Sequence, residues 1–220
     1  GLGLFDPDDP NAFVSGAGFG DAFIAAYDQL GALIWVKVIG GAGQDVVTDI
    51  AVDSNDAIYW CGNYQGTVTV VESGTTHTVS SEGADDAMVG QLAPDGTTMW
   101  LRSFGGTDSD NATALSVGDN GVAVCGEFLG TMDAEPGTGQ QLLTSAGFRD
   151  AFIVRLTPFG SYAGAWSYGG TQNDYANDVA FDAAFAWYLA GTFSGTLLNG
   201  FSGTPMLQSV GSEDAFLICT

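Results

Sequence analysis

An all-β fold assembled from tandem repeats is what this 220-residue sequence predicts, and three observations predict it. The word Asp-Ala-apolar-apolar recurs at Asp21, Asp86, Asp150 and Asp214, with spacings of 65, 64 and 64 residues. Each of the first three is followed 19 residues later by a double glycine, at Gly40-Gly41, Gly105-Gly106 and Gly169-Gly170. A further glycine closes a later apolar run at Gly62, Gly126 and Gly191. Three markers holding register over three copies define a repeat protein. The start keeps the same register, since Gly1 precedes Asp21 by 20 residues, as Gly66 precedes Asp86 and Gly130 precedes Asp150.

Within a copy the elements follow in order. "DAFIAAYD" and "ALIWVKVIGG" read as two strands around a turn, which later copies write as "APDG" (93–96) and "TPFG" (157–160). There Pro presets φ and Gly supplies a positive one. "DIAVD" and "AIYWCGNY" flank a second turn, "SND", whose counterpart is "GDNG". Four strands therefore fill each period. The Thr-rich alternation of "GTVTVVESGTTHTVSS" adds an exposed, extended hairpin. Trp35 and Trp100 stand 14 residues after their Asp and Trp166 stands 16 after; a shift of two keeps the ring on one face of a strand. Those rings are expected to wedge between neighbouring units. Runs such as "AFIV" and "IAVD" are apolar on both faces, as a sheet packed between two others requires.

Composition narrows the function classes. Four Lys+Arg against 26 Asp+Glu give a net charge of −22, which repels phosphate backbones and anionic membranes. No nucleic-acid partner and no membrane insertion are expected: the most apolar stretch (22–39) is broken by Asp28, Gln29 and Lys37. Such self-repulsion is eased by salt or cations, which points to a saline or calcium-containing exterior, or to a halophile. The opening at Gly1 reads as a processed or excised piece. Cys61 and Cys125 share one repeat position with Ala190, which fits a small buried slot; a disulfide involving Cys219 is the alternative.

Four-stranded units in tandem, with glycine and aromatic signatures, are the mark of a β-propeller. The pattern "DAFI…L..DG…W…GG….D…IAVD……..G" resembles the bacterial SBBP-type repeats, the seven-bladed β-propeller repeat family, over nearly all of the chain. The stretch between "CGNY" and "DAMV" is long for that pattern. The resemblance implies blades of four antiparallel strands in a single repeat domain: 1–45 ends one blade, 46–106 and 111–170 are complete, and 174–220 holds three strands of another. A propeller needs about four to eight blades, so the ring is incomplete within these residues. Its bare edges imply completion by a longer chain or by other copies.

Strands that start at the recurrent aspartates run in one direction, so Asp45, Asp110 and Asp174 come close to Asp21, Asp86, Asp150 and Asp214 on one face. These carboxylates either accept loop amides and lock the turns or bind calcium, a cation that seeks clustered oxygens. Asp108 and Asp110 in "DSDN", and Asp6 and Asp8 in "DPDDPN", are the local metal candidates, though neither run completes an EF-hand loop. His77, the single histidine, sits in the Thr-rich stretch with no nucleophile-elbow sequence to partner it. No CxxC, HExxH or phosphate-binding loop is present. Asn111-Ala112-Thr113 is a glycosylation sequon. The expected function is a non-enzymatic extracellular structural or adhesive module that self-associates or binds a glycan or protein ligand. The rival readings are a lectin and a glycan-active hydrolase or lyase with an acidic site.

Overall fold

The structure, a computed structural model, describes residues 2–5, 13–72, 74–182 and 186–219. It is all-β, with antiparallel sheets none of which closes on itself. Among the described residues no helix is long and apolar enough to cross a membrane.

The first copy contributes β1 (Leu2–Leu4), β2 (Phe13–Ser15), β3 (Ala22–Tyr27) and β4 (Leu33–Ile39). The next comprises β5 (Asp45–Val52), β6 (Ile58–Tyr64), β7 (Thr67–Glu72), β8 (Thr75–Ser80), β9 (Asp86–Leu92) and β10 (Thr98–Gly106). It is followed by β11 (Asp110–Gly118), β12 (Gly121–Phe128), β13 (Thr131–Asp133), β14 (Leu142–Thr144), β15 (Asp150–Leu156) and β16 (Tyr162–Gly169). The last comprises β17 (Asp174–Phe181), β18 (Trp187–Phe193), β19 (Thr196–Asn199), β20 (Thr204–Gln208) and β21 (Asp214–Cys219).

The four strands anticipated in each period form a meander, β5-β6-β9-β10 and β11-β12-β15-β16, with β17-β18-β21 and β3-β4 as shorter sheets. The Thr-rich stretch departs from the expectation of an exposed hairpin. A hairpin occurs at this place in later copies too, and there it binds to the copy before its own: β13-β14 extend β10, and β19-β20 extend β16. β7-β8 approach the end of β4 through a bridge between Gly41 and Val68. Their inward residues Val68, Val70 and Val79 are buried, while the threonines face outward and pair across the hairpin. The two four-stranded meanders are therefore each clasped by a strand pair from the next copy, and there the sequence repeat and the sheet are out of step by one hairpin.

That clasp explains the double glycine. A Cβ on Gly105 would intrude on the Asp86 carboxylate, and one on Gly106 would collide with the Thr131 carbonyl of the incoming β13. Gly169 and Gly170 stand in the same relation to Asp150 and Thr196. Two close approaches from opposite sides leave room for hydrogen alone.

The sheets bury apolar faces against one another. One core joins Tyr59, Cys61, Val89 and Trp100 to Leu115, Val124 and Phe152; a second joins Cys125 and Ile153 to Val179, Leu189 and Phe216. Polar side chains cross the same seams. Each first-to-second strand pair carries a bulge, and around the β11 bulge the Ala112 and Leu115 amides donate to Asn63 and Asp49 of the preceding sheet at 2.6 and 2.9 Å. Buried amides freed by a bulge need such acceptors.

The three cysteines are free; Cys61 and Cys125 are wholly buried in the seams and Cys219 is exposed. Burial pushes the Cys61 thiol up to about 12, so it stays protonated. Cys125→Ala, which copies the third repeat's Ala190, should cost little. Cys125→Ser, which buries a hydroxyl in an apolar seam, should cost about 1–3 kcal/mol in denaturant unfolding.

Candidate functional site

The face that collects the strand starts is the place where chemistry-bearing residues concentrate. Two series of aspartates meet there. Asp86 and Asp150, which open the third meander strand, accept the N–H of the residue four places upstream, Glu82 and Ala146, each at 3.0 Å. Asp21 does the same with Ala17, and Asp214 with Val210. Asp45 and Asp174, which open the first strand, accept the Gly41 and Gly170 amides at 2.7 Å, and Asp110 accepts Leu129 N–H at 3.3 Å. Every recurrent aspartate thus closes a backbone turn.

Backbone bonds bring the two series together in pairs. The amides of Asp45, Asp110 and Asp174 donate to the carbonyls of Gly20, Asp85 and Arg149, each just ahead of the preceding sheet's aspartate. The resulting neighbours are Asp21 with Asp45, Asp86 with Asp110, and Asp150 with Asp174. Burial is the main force on the acidity of Asp45, Asp86, Asp110, Asp150 and Asp174, and the paired carboxylate adds to it for Asp45, Asp110 and Asp150. Asp110 and Asp150 are each pushed up to about 7 and Asp86 to about 6, while Asp45 and Asp174 are raised as well. One oxygen each of Asp45, Asp86, Asp110 and Asp150 is buried without a hydrogen-bond partner.

The "DSDN" candidates separate: Asp110 turns inward to loop amides, while Asp108 is exposed beside Gly130. Asp6 and Asp8 lie outside the described residues. Among the described residues no three His, Cys, Asp or Glu side chains are placed to hold one metal ion directly. His77 is half-buried on β8, opposite Val70. The Asn111 side-chain amide donates to Glu127 at 3.3 Å.

The tryptophans face the seams. The Trp35 and Trp100 indoles donate to the Pro94 and Pro158 carbonyls, each at 3.0 Å, in the turn of the following sheet. Their rings lie over Gly96 and Gly160, where a Cβ would strike them. Trp166 meets Trp187 of the next sheet at 5.6 Å between ring centres. The scarce cations do similar work: Lys37 and Arg102 bond to Thr98 and Gly160, and Arg155 lies over the Phe181 ring at 5.7 Å.

A feature that repeat reading passed over is a cavity of about 180 Å³ beside Asp86, lined also by Glu82, Ser103, Gly105, Asp133 and Glu135. Its carboxylates come from two copies, because Asp133 lies opposite Gly105 in the β10–β13 pairing.

No family model matches the chain. The sequence is similar to the regulatory protein FlaEY of Caulobacter vibrioides, with 23% identity over 193 residues. The alignment takes in 86% of this chain and 20% of that protein, so the chain spans about a fifth of its relative's length.

Proposed function

We propose that the chain is a non-enzymatic, extracellular structural or adhesive module of β-propeller type, akin to SBBP repeats, that joins further repeats of its own kind through its end faces. The carrying observation is a contrast between equivalent residues. Leu217 is 70% exposed on the last sheet, whereas its counterpart Ile153 is fully buried. At the other end Ile50 is 48% exposed, whereas its counterpart Leu115 is 5% exposed. Inside the array these two kinds of face mate with each other, so unlike ends are mutually complementary. Such a head-to-tail contact closes into a ring or extends into an array. Similarity to a fifth of a much longer protein fits a module set within a larger assembly. The strongly acidic surface fits a salt- or calcium-rich exterior.

The lectin and glycan-hydrolase readings find less support. A sugar-binding face needs accessible rings, and these indoles are occupied at the seams.

Light scattering on a concentration series tests the reading. The wild-type chain should associate at micromolar concentration, and Leu217→Asp should shift it to monomer. A compact 22.6 kDa monomer at every concentration contradicts self-association.

A further inference from the structure

Successive seams are built from equivalent positions, so the side chain that fills a corner at one seam shows what another seam lacks. Just ahead of β15, Arg149 donates from Nη1 to the Ser109 carbonyl at 3.2 Å and faces the Glu127 carboxylate at 3.8 Å. Ser109 precedes β11 and Glu127 lies on β12, so one guanidinium closes the corner where three strands of a sheet begin or end.

The preceding sheet holds Gln44 in place of Ser109, Asn63 in place of Glu127 and Asp85 in place of Arg149. These positions follow from the aligned markers Asp45 and Asp110, Cys61 and Cys125, and Asp86 and Asp150. The arginine has become a carboxylate, and the corner is open. A cavity of about 210 Å³ is lined there by Gln44, Val46, Asn63, Gln65 and Asp85, with Asn111 of the next sheet. The backbone is the same at both corners: the Asp85 carbonyl accepts the Asp110 amide at 2.7 Å, and the Arg149 carbonyl accepts the Asp174 amide at 2.8 Å. Only the side chains differ. Asn63 is fixed, since its Oδ1 accepts the Ala112 amide at 2.6 Å. All four cations of the chain are engaged elsewhere. Lys37 pairs with Glu72 and Arg149 with Glu127, Arg102 bonds to Gly160, and Arg155 lies over Phe181.

We propose that this cavity is a docking site for the guanidinium of an arginine carried by a partner protein, seated as Arg149 is seated one seam on. The Asp85 carboxylate supplies the charge, and the carboxamide oxygens of Gln44 and Gln65 supply further acceptors. A guanidinium offers only N–H donors, in a rigid plane, so a pocket lined by carbonyl and carboxylate oxygens suits it. It is also more weakly hydrated than an ammonium, so it gives up water for a half-open corner at lower cost. The wider field acts in the same direction, because a net charge of −22 draws a basic segment towards this surface. The site lies at an inner seam, so it goes beyond the end-face reading and needs no second copy of the chain.

The test titrates the full 220-residue chain, isotope-labelled for amide spectra, with the capped peptide Ac-Gly-Arg-Gly-NH₂. Its Lys analogue and NaCl at matched ionic strength run in parallel. The arginine peptide should saturate at roughly millimolar concentration, with shifts concentrated at Gln44, Asn63, Gln65 and Asp85. The Lys peptide should bind several-fold more weakly. Asp85→Asn keeps the carbonyl that accepts Asp110 and removes only the charge, so its melt should match wild type while its arginine affinity falls about tenfold. Asp85→Arg, which plants the other seam's occupant in the corner, should abolish the response. Gln44→Ala/Gln65→Ala changes two exposed side chains and should weaken binding several-fold, which keeps the test in force if an Asp85 variant fails to fold. Shifts no larger than those in NaCl, an equal response to the Lys peptide, or unchanged affinity in the variants overturns the assignment. Shifts centred on the Asp86 cavity instead of this corner do the same. Association state is read separately, so loss of self-association leaves this result standing.

Discussion

Trp100→Ala should lower the unfolding free energy by about 3–5 kcal/mol, the range for removing a large aromatic from a packed interior. Trp100 is buried between two sheets, meets Tyr59 edge-on at 6.1 Å and donates its indole N–H to Pro158 of the next copy. Truncation would leave a void at the seam and strip the Pro158 carbonyl of its donor. Trp35 makes the equivalent bond to Pro94, but it is only half-buried, because β3-β4 cover the seam with two strands. Trp35→Ala should therefore cost clearly less. Denaturant melts of the two variants check the order. Equal losses would mean that the rings do not act as seam fillers, and since a domain has only about 5–15 kcal/mol in total, the difference is readily measured.

The second large effect is on pH dependence. Asp110 and Asp150 have folded-state acidities near 7, against an ordinary value of 3.8, with burial as the chief cause. The folded chain therefore binds protons that the unfolded chain gives up. Stability from these groups is greatest below about pH 4 and is lost as pH rises through about 7. In chelator-treated protein, unfolding free energy should rise between pH 8 and pH 5, by at most about two pH units' worth at about 1.4 kcal/mol each for either acid. Most proteins whose carboxylates are paired with cations move the other way. Asp150→Asn, which holds a neutral side chain in the same turn, should flatten part of the slope. A protein that loses stability steadily from pH 8 to pH 5 contradicts the buried-pair geometry.

Much of this was legible from spacing alone. The interval between "DAFI" words marks the strands because a meander of fixed length must return to the same edge, and the aspartates repeat because each closes a turn. The partner of the Thr-rich hairpin was not legible. Alternating Thr and Val define two strands that pair with each other, but nothing local says whether they join their own sheet or the previous one. The clue lay elsewhere, in the second glycine of each pair, whose hydrogen is all that the Thr131 or Thr196 carbonyl leaves room for. The metal candidates were sought in the densest acidic words, "DSDN" and "DPDDPN". Density along the chain is a poor guide here, because the run crosses from an exposed turn into a strand: Asp108 lies before β11 and Asp110 opens it. Asp108 and Asp110 accordingly end up exposed and buried, respectively. Glu82, Asp133 and Glu135, by contrast, come from two copies and share a cavity.

The central claim is that the two four-stranded meanders are each completed by strands of the following copy. Nuclear Overhauser contacts between backbone protons test it most directly. The structure predicts cross-strand contacts from Gly105 and Gly106 to Asp133 and Met132, and from Tyr168 and Gly169 to Asn199 and Leu198. Contacts that instead pair β13 with a strand of its own copy, β12 or β15, would contradict it.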